Sequence, residues 1–452
     1  MIQFLLAAPN SGSGKTTLAC ALLAALKNRG YAPCAFKCGP DYIDPMFHRA
    51  VLGVESHNLD LFFSSPETVR GLYASGAAGH GAAVCEGAMG FYDGLSGTST
   101  TASAWQVADT LNLPVLLVVR PKGASLTLAA QIKGLQSFRT PSHLAGILLN
   151  DCKPGLYKML APMLEAETGL PVAGFLPPVP EAAIGSRHLG LYTAGEVADL
   201  QQKIALLAQA AEENIRWEKL LSLCEQPAPA AAQIKQEHKK QCVKIAVARD
   251  EAFCFAYAET LEALTAAGAE LVPFSPVRDP ALPEGAGGLY LPGGYPELHA
   301  AALSANKTML QSVKTAIESG LPTAAECGGF LYLGQTLEDS AGRSYPMAGV
   351  LPGQGVRVGR LVRFGYASLT AKTDSMLFRI GESLPVHEFH HWDSTANGAD
   401  FTAARSNGKT WDCGFANEHF YAGFPHLYWA GTALPRRFVD AAAHYHQEEQ
   451  DQ

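Results

Sequence analysis

The stretch from Ala8 to Thr17, APNSGSGKTT, constrains the fold of this chain more than any other part of the sequence. It follows an apolar run, Ile2 to Ala7, and it leads into a helical pattern that ends near Lys27. A strand, a glycine-rich loop, a Lys-Thr pair and a helix form the context of a phosphate-binding loop. Glycines let the backbone approach an anion, and the amides at the start of the helix point towards it. The sequence therefore predicts a nucleotide-binding α/β domain.

The residues of this loop have distinct expected roles. We expect the ammonium of Lys15 to reach the terminal phosphates of ATP and the hydroxyl of Thr16 to be a ligand of Mg²⁺. Pro9 stands where the pattern G-x-x-x-x-G-K-[ST] has its first glycine, which is a departure from it. A plain Gly/Ser turn before a helix is the alternative, and the flanking strand and helix disfavour it. The predicted ATP-binding residues of the loop are Ser11, Gly12, Ser13, Gly14, Lys15, Thr16 and Thr17.

Two further polar loops follow predicted strands of the same domain. FKCGPDYIDP contains Lys37 and Asp44, and EGAMGFYDG begins with Glu86. Sheets of this kind bind ligands at the carboxyl ends of their strands, where these loops would meet. We expect Lys37 to offset charge on a transferred phosphoryl group, and Asp44 and Glu86 to join Thr16 around Mg²⁺, because hard cations prefer oxygen ligands. A solvated turn is the alternative for the first loop.

Length, composition and charge exclude several classes of protein. A chain of 452 residues is too long for one core and predicts two or three domains. A hydrophobic content of 48% with a net charge of −8 and no dense Lys/Arg tract disfavours a nucleic-acid partner. The absence of a leader pattern and of a long apolar run predicts a cytoplasmic protein without a membrane anchor. Ten cysteines without C-x-x-C spacing predict reduced thiols rather than a disulfide framework.

Buried-type strands alternate with helical patterns in both halves of the chain, which indicates parallel sheets covered on both faces. Residues 225–241 have the composition of a linker. We therefore predict an α/β protein with an ATP- and acceptor-binding domain at 1–224 and a second α/β domain at 242–452. The predicted strands include 114–119, 145–150, 172–176, 244–249 and 270–274, and the predicted helices include 98–111, 124–138, 155–168, 194–223, 257–268 and 306–319.

The second domain contains a cysteine in the context of a nucleophile elbow. Cys327 lies between a predicted strand and a predicted helix and precedes the pair Gly328-Gly329. We expect the helix N-terminus to favour the thiolate over the thiol, whose unperturbed pKa is about 8.5. Backbone amides near Gly294, in LPGGYPEL, and at Gly328 would hold an oxyanion. A buried structural cysteine is the alternative.

A cysteine nucleophile needs a base, and His426 is the candidate. Its competitors lie in HEFHH, from His387 to His391, which also satisfies the H-E-x-x-H pattern of zinc peptidases. That pattern binds zinc only on a helix, whereas Pro385 precedes it here and the neighbouring segments 356–369 and 401–404 are predicted as strands. We therefore favour His426 and disfavour a zinc site.

Together these motifs resemble the cobyrinic acid a,c-diamide synthase family, whose relatives act on hydrogenobyrinic acid or on nickel sirohydrochlorin. The resemblance covers roughly residues 2–430 apart from the linker. Its motifs are SGSGKTT at 11–17, FKCGPDYIDP at 36–45, NLD at 58–60, EGAMGFYDG at 86–94, RHLGL at 187–191, LPGGYPEL at 291–298, AECGGFLYLG at 325–334 and HEFH at 387–390.

The resemblance implies an N-terminal domain similar to dethiobiotin synthetase and a C-terminal class I glutamine amidotransferase domain. It implies a carbon-nitrogen ligase of cobalamin biosynthesis that uses ATP with Mg²⁺ and L-glutamine to amidate the a- and c-carboxylates of cobyrinic acid through an acyl phosphate. Cys327 would be the glutaminase nucleophile and His426 its base. A homodimer is a further expectation. The expected contacts to the tetrapyrrole substrate are Asp41, Tyr42, Asp44, Asp93, Arg187 and His188. For Arg187 and His188 the residues alone favour the alternative of a surface position at a helix boundary.

The sequence departs from the family pattern at a few positions. The wider amidotransferase class has a glutamate two residues after the catalytic histidine, where this chain has Tyr428. Members of the synthase family lack that glutamate too, so we expect a Cys-His pair, and what orients His426 is left open. Ser186 stands where the family usually has glutamate, and His391 where it often has an aromatic residue.

Two alternatives to cobyrinic acid amidation remain at this point. The same reaction on hydrogenobyrinic acid or nickel sirohydrochlorin is the nearer one, because the motifs do not separate these acceptors. A non-catalytic P-loop regulatory ATPase with a degenerate amidotransferase domain is the more distant one, and the intact Cys327 and His426 disfavour it.

Overall fold

The chain folds into two compact units. The computed structural model describes residues 1–183, 194–230 and 242–450. The described residues up to 230 belong to the first unit and those from 242 belong to the second. Within these ranges no helix is long and apolar enough to cross a membrane. Ser186, Arg187 and His188 lie outside the described residues.

The first unit alternates strands and helices, as its buried apolar runs predict. Its strands are β1 (Ile2–Ala7), β2 (Pro33–Cys38), β3 (Ser56–Leu59), β4 (Ala82–Glu86), β5 (Val115–Val119), β6 (Leu144–Asn150) and β7 (Val172–Leu176). Its helices are α1 (Lys15–Asn28), α2 (Ile43–Phe47), α3 (Pro66–Ala77), α4 (Ala104–Leu111), α5 (Leu126–Phe138), α6 (Pro154–Thr168), α7 (Ala194–Asn214) and α8 (Trp217–Cys224).

The strands of the first unit form one parallel seven-stranded sheet in the order β3-β2-β4-β1-β5-β6-β7. Strands β2, β4 and β1 are therefore neighbours, although they are far apart along the chain. Hydrophobic clusters cover both faces of the sheet. This topology brings the loops that follow β1, β2 and β4 to one edge, as the sequence predicts.

The observed helices correct two sequence predictions in this unit. The helix predicted at 98–111 begins only at Ala104, because Ser103 caps it and the residues before it form turns. The helix predicted at 194–223 is divided into α7 and α8, because Ile215 leaves the helical path and forms a β-bridge with Gly174. The predicted linker begins with residues that bond to β1, since Glu225 bridges Ile2.

The second unit combines a mostly parallel sheet with smaller sheets that are antiparallel or mixed. Its helices are α9 (Ala258–Ala266), α10 (Ala300–Ala305), α11 (Lys307–Glu318), α12 (Gly328–Tyr332) and α13 (Leu434–Gln450). Its strands are β8 (Val243–Ala248), β9 (Phe253–Phe255), β10 (Ala269–Phe274), β11 (Ala286–Leu291), β12 (Gly293–Gly294), β13 (Thr323–Glu326), β14 (Thr336–Glu338), β15 (Ser344–Pro346), β16 (Gln354–Arg357), β17 (Arg363–Ala371), β18 (Ser383–His390), β19 (Trp392–Ser394), β20 (Phe401–Ala404), β21 (Thr410–Cys413), β22 (Phe415–Ala416), β23 (Phe420–Gly423) and β24 (His426–Leu427).

The main sheet of the second unit has the order β10-β8-β11-β13-β23-β22. Strand β13 lies in the middle, parallel to both β11 and β23. A five-stranded antiparallel sheet, β21-β20-β17-β18-β24, carries the segment that follows β23. Clusters of buried apolar side chains pack on the two faces of the main sheet. The carboxyl ends of β11, β13 and β23 consequently lie side by side.

Candidate active sites

The loop after β1 has the backbone conformation that a phosphate-binding loop requires. Gly12 and Gly14 have φ angles of 78° and 84°, in the left-handed region that favours glycine. Gly14 is the N-cap of α1, and a Cβ there would lie 2.0 Å from Nδ2 of Asn150. Asn150, at the end of β6, donates from Nδ2 to the carbonyl oxygen of Ser13 at 3.0 Å. The loop is thus tied to the sheet through a side chain that leaves room only for glycine at position 14.

The polar side chains of the loop point towards β4 and its following turn. Nζ of Lys15 donates to the carbonyl oxygen of Met89 at 2.5 Å, and Oγ1 of Thr16 donates to Oε1 of Glu86 at 2.5 Å. Burial lowers the pKa of Lys15, and the neighbouring charge of Lys37 lowers it further. Ser11 and Gly12 are exposed, whereas Ser13 is buried and Thr17 half-buried.

Lys37 is the centre of a buried charge cluster. Its Nζ lies 2.8 Å from Oε1 of Glu86 and 2.7 Å from Oδ2 of Asp44. Burial alone would lower the pKa of Lys37, but the charges of Glu86 and Asp41 outweigh it, so the net shift is upward. The strand register explains the meeting, because Lys37 pairs with Glu86 across β2 and β4. The structure brings together the lysine and both carboxylates that the sequence singled out.

The other predicted acceptor-binding residues have local structural roles. Oδ1 of Asp41 accepts hydrogen bonds from the amides of Ile43 and Asp44, at 2.8 and 3.1 Å, and so caps α2. Tyr42 is half-buried beside it. Asp93 is exposed, and its Oδ2 accepts from the amide of Gly90 at 3.0 Å.

The residues predicted to hold Mg²⁺ fit a cation of that kind. Oε2 of Glu86 is buried and has no hydrogen-bond partner, which is costly for a carboxylate oxygen unless a cation or donor joins it. Among the described residues there is no cluster of three or more His, Cys, Asp or Glu side chains with metal-site geometry. Mg²⁺ usually takes one or two carboxylates and completes its shell with water and phosphate oxygens. Thr16, Glu86 and Asp44 match that sparse set.

In the second unit, Cys327 occupies a strained turn between β13 and α12. Its φ and ψ angles are 48° and −100°, which a residue with a side chain rarely adopts. The amide of Cys327 donates to the carbonyl oxygen of Gly423 at 2.7 Å, so the turn is fixed to β23. A sharp strand-to-helix turn that presents a nucleophile is the geometry of an elbow.

Glycines line the close approach between this elbow and the turn after β11. A Cβ on Gly328 would lie 2.9 Å from the amide nitrogen of Gly294. The two predicted oxyanion residues are therefore brought together by the fold. A Cβ on Gly293 would lie 2.4 Å from Cε1 of His426, so the imidazole rests directly against this glycine.

His426 lies at the start of β24, beside the strand that ends in the elbow. Its Nδ1 is 3.8 Å from Oε2 of Glu326, the residue that immediately precedes Cys327. Glu326 is 1% exposed, and its Oε1 accepts from Nε1 of Trp429 at 2.9 Å. Burial raises the pKa of Glu326 to about 8, and hydrogen bonds from Trp429, Leu427 and Tyr290 oppose this rise.

The electrostatics of the elbow correct one expectation from sequence. Burial raises the pKa of the Cys327 thiol, and the charges of Glu297 and Glu388 raise it further. Helix α12 is only five residues long, so its N-terminus offsets little of this cost. The raised pKa favours the thiol over the thiolate that the sequence predicts. Burial also lowers the pKa of His426 to about 4, which leaves a neutral imidazole able to accept a proton.

The HEFHH segment lies on a strand, as the sequence analysis favoured. Residues 387–390 belong to β18, where positions four apart are separated by about 13 Å and cannot share a zinc ion. Oε2 of Glu388 is 3.1 Å from Nε2 of His390, and its Oε1 accepts from Nε1 of Trp411 at 3.2 Å. The motif is therefore a buried polar network on the antiparallel sheet.

Sequence reasoning missed Asn150 and Glu326. Asn150 ends a buried strand, and nothing in a single sequence marks its bond to a loop 137 residues earlier. Glu326 stands beside the predicted nucleophile, and a charged residue at the end of a buried strand was a usable signal.

A phosphate-binding loop with a buried lysine-carboxylate cluster and a cysteine elbow with a neighbouring histidine define a nucleotide-dependent glutamine amidotransferase. Two family models match accordingly. Residues 4–190 match the CobQ/CobB/MinD/ParA nucleotide binding domain, and residues 244–433 match the CobB/CobQ-like glutamine amidotransferase domain.

Curated relatives match along nearly the whole chain. A protein of Caldanaerobacter subterraneus named cobyrinate a,c-diamide synthase is 37% identical over 98% of this chain and 98% of its own length. Proteins of the same name from Gloeobacter violaceus and Salmonella typhimurium are 39% and 37% identical, over 97% and 94% of this chain and 96% and 95% of theirs. The chain belongs to the cobyrinate a,c-diamide synthase family.

Proposed function

We propose that this protein catalyses the ATP- and glutamine-dependent amidation of the a- and c-side-chain carboxylates of cobyrinic acid, giving cobyrinic acid a,c-diamide. The observation that supports this most is the presence of two complete sites in one chain, a phosphate-binding loop with Lys37 and Glu86, and an elbow with Cys327 and His426. The printed names of the curated relatives support the acceptor.

The first unit would activate the acceptor. A carboxylate oxygen of the corrinoid attacks the γ-phosphorus of ATP, the bond to ADP breaks, and an acyl phosphate forms. Lys15, after leaving the Met89 carbonyl, would face the phosphates, and Lys37 would offset their charge. Mg²⁺, held by Thr16, Asp44 and Glu86, would neutralise charge on the β- and γ-phosphates.

The second unit would release ammonia. Sγ of Cys327 attacks the amide carbon of glutamine while His426 takes the thiol proton, and the amides of Gly294 and Gly328 stabilise the oxyanion. His426 then gives the proton to the leaving ammonia, and water hydrolyses the thioester to glutamate. Ammonia attacks the acyl phosphate in the first unit, and phosphate leaves.

We also propose the remaining features that the sequence predicts. These are an amidoligase domain at 1–224, a linker at 225–241, a glutaminase domain at 242–452, a cytoplasmic location and a homodimer. The two-unit division and the ranges of the two family models support the domain assignment. None of the ten cysteines, all of which are described, forms a disulfide, which supports a reducing compartment. Arg187, His188, Asp41, Tyr42, Asp44 and Asp93 remain the proposed acceptor contacts.

The test is an assay with Mg-ATP and glutamine on cobyrinic acid, hydrogenobyrinic acid and nickel sirohydrochlorin, followed by product mass. We expect cobyrinic acid to gain two amides. A Cys327→Ala variant should lose synthesis from glutamine and keep synthesis from high ammonium at raised pH, because only ammonia release uses the thiol. Equal loss with both nitrogen sources would show that Cys327 is structural.

A further inference from the structure

The carboxylate of Glu326 faces the imidazole that the proposed glutaminase uses as a base. The distance from Oε2 of Glu326 to Nδ1 of His426 is 3.8 Å, and both side chains are almost fully buried, at 1% and 2% exposure. In a buried site the interaction of a carboxylate with an imidazolium is screened far less than in water. The position two residues after His426, where the wider amidotransferase class has glutamate, is Tyr428.

The hydrogen bonds of Glu326 fix the strand that carries the histidine. Oε1 accepts from Nε1 of Trp429, and the carboxylate also accepts from the amide of Leu427. Leu427 is the residue after His426, and Trp429 lies three residues after it. The hydroxyl of Tyr290, on β11, donates from the other side. One carboxylate thus connects the elbow strand β13, the neighbouring strand β11 and the histidine segment.

We propose that Glu326 is the positioning residue of His426 and supplies the carboxylate that the wider class provides from the second position after the histidine. This inference rests on the proposed glutaminase function. Glu326 lies within ion-pair distance of Nδ1, and its ionised form stabilises the imidazolium that forms when the ring takes the thiol proton of Cys327. The carboxylate reaches the histidine from the residue before the nucleophile.

Glu388 is the competing carboxylate in this unit, because its charge raises the pKa of His426, but its direct contacts are to other side chains. Its Oε2 lies 3.1 Å from Nε2 of His390 and 3.7 Å from Nε of Arg363, and Oε1 accepts from Trp411. Both oxygens of Glu388 are therefore engaged on the antiparallel sheet. Glu388→Gln is a matched variant, because it removes a charge of equal burial in the same unit.

The experiment measures glutamine hydrolysis and synthesis from glutamine or ammonium in Glu326→Gln, Glu326→Asp, Glu388→Gln and Cys327→Ala. We expect Glu326→Gln to lower kcat for glutamine by about 100-fold, with KM within about threefold and ammonium-dependent synthesis unchanged. Glu326→Asp keeps the charge and should retain at least about tenfold more kcat than Glu326→Gln. Glu388→Gln should lower kcat less than Glu326→Gln does.

The outcomes separate this inference from the function on which it rests. Retained glutamine use in Cys327→Ala would overturn the proposed glutaminase site. Loss in Cys327→Ala with near-normal kcat in Glu326→Gln would overturn only the role of Glu326, as would a larger loss in Glu388→Gln. If both Glu326 variants are less stable than the wild type, the ratio of their kcat values still tests the role of the charge. Equal kcat values in Glu326→Asp and Glu326→Gln would exclude that role.

Discussion

At the scale of single residues, the proposed glutaminase site depends on backbone positions that tolerate little change. Cys327 adopts a φ of 48°, which costs a residue with a side chain about 1–3 kcal/mol. Such a conformation persists only where the surrounding structure imposes it. The amide bond to Gly423 and the packing of Gly328 against Gly294 are those surroundings. Neighbouring strands therefore keep Cys327 in this strained conformation, and they fix the position of its thiol.

Gly293→Ala should test whether catalysis depends on the position of His426, because the substitution moves the ring and leaves the histidine itself in place. The new Cβ would lie 2.4 Å from Cε1 of His426, so the ring must move. A displacement of about 1 Å in a catalytic group can lower a rate by about 100-fold, and we expect a loss of that order in glutamine hydrolysis. Steady-state glutaminase kinetics check this.

The control for this substitution is Gly134→Ala, on the exposed surface of α5, where a Cβ meets nothing within 4 Å. It should leave glutaminase activity unchanged. Ammonium-dependent synthesis should survive in both variants. Wild-type glutamine turnover in Gly293→Ala would mean that His426 does not need its observed position.

At the scale of elements, the phosphate-binding loop is fixed by a strand remote from it in sequence. Asn150, at the end of β6, holds the carbonyl of Ser13 and fills the space beside Gly14. Strand β6 is separated from β1 by β5 in the sheet. The loop conformation is therefore a property of the whole sheet edge as well as of its own glycines.

Asn150→Ala should weaken ATP binding without unfolding the unit. The substitution removes the donor to Ser13 and opens space behind Gly14, so the loop loses its fixed form before the nucleotide arrives. Loss of one hydrogen bond in a partly buried site corresponds to about 1 kcal/mol, or roughly a fivefold rise in the Kd for ATP. Isothermal titration with a non-hydrolysable ATP analogue measures it.

Asn58→Ala offers a comparison on β3, at the other end of the sheet, because Asn58 bonds to the Gly39 and Asp41 carbonyls of the loop after β2 rather than to the phosphate-binding loop. Its effect should fall mainly on the corrinoid KM. Equal ATP affinity in Asn150→Ala and the wild type would remove the role assigned to Asn150.

Much of this arrangement could be predicted from sequence, because it depends on local sequence patterns. The phosphate loop, the strand-helix alternation and the elbow at Cys327 each depend on residues within about ten positions of one another. The contacts of Asn150 and Glu326 could not be predicted in the same way, since they depend on strand order. The thiolate expectation failed because the burial of Cys327 and its closeness to the charges of Glu297 and Glu388 are tertiary properties.

At the scale of the whole molecule, each unit has its own sheet and its own hydrophobic clusters. The predicted ATP-binding residues all belong to the first unit, and Cys327, His426 and Glu326 all belong to the second. On the proposed assignment, ammonia release depends on one folded unit and carboxylate activation on the other. The two half-reactions should be separable by substitution.

Lys15→Ala should abolish synthesis from both glutamine and ammonium while glutamine hydrolysis continues. The lysine is 8% exposed within the first unit, and its removal takes a positive charge from the phosphate site without touching the elbow. Removal of Mg²⁺ with EDTA should have the same pattern, because Glu86 and Thr16 lie in that unit too. Product mass and glutamate release are measured together.

Cys327→Ala gives the reverse pattern and is the matched control. Normal synthesis in Lys15→Ala would refute the ATP site, and loss of hydrolysis under EDTA would show that the glutaminase site depends on the metal or the first unit.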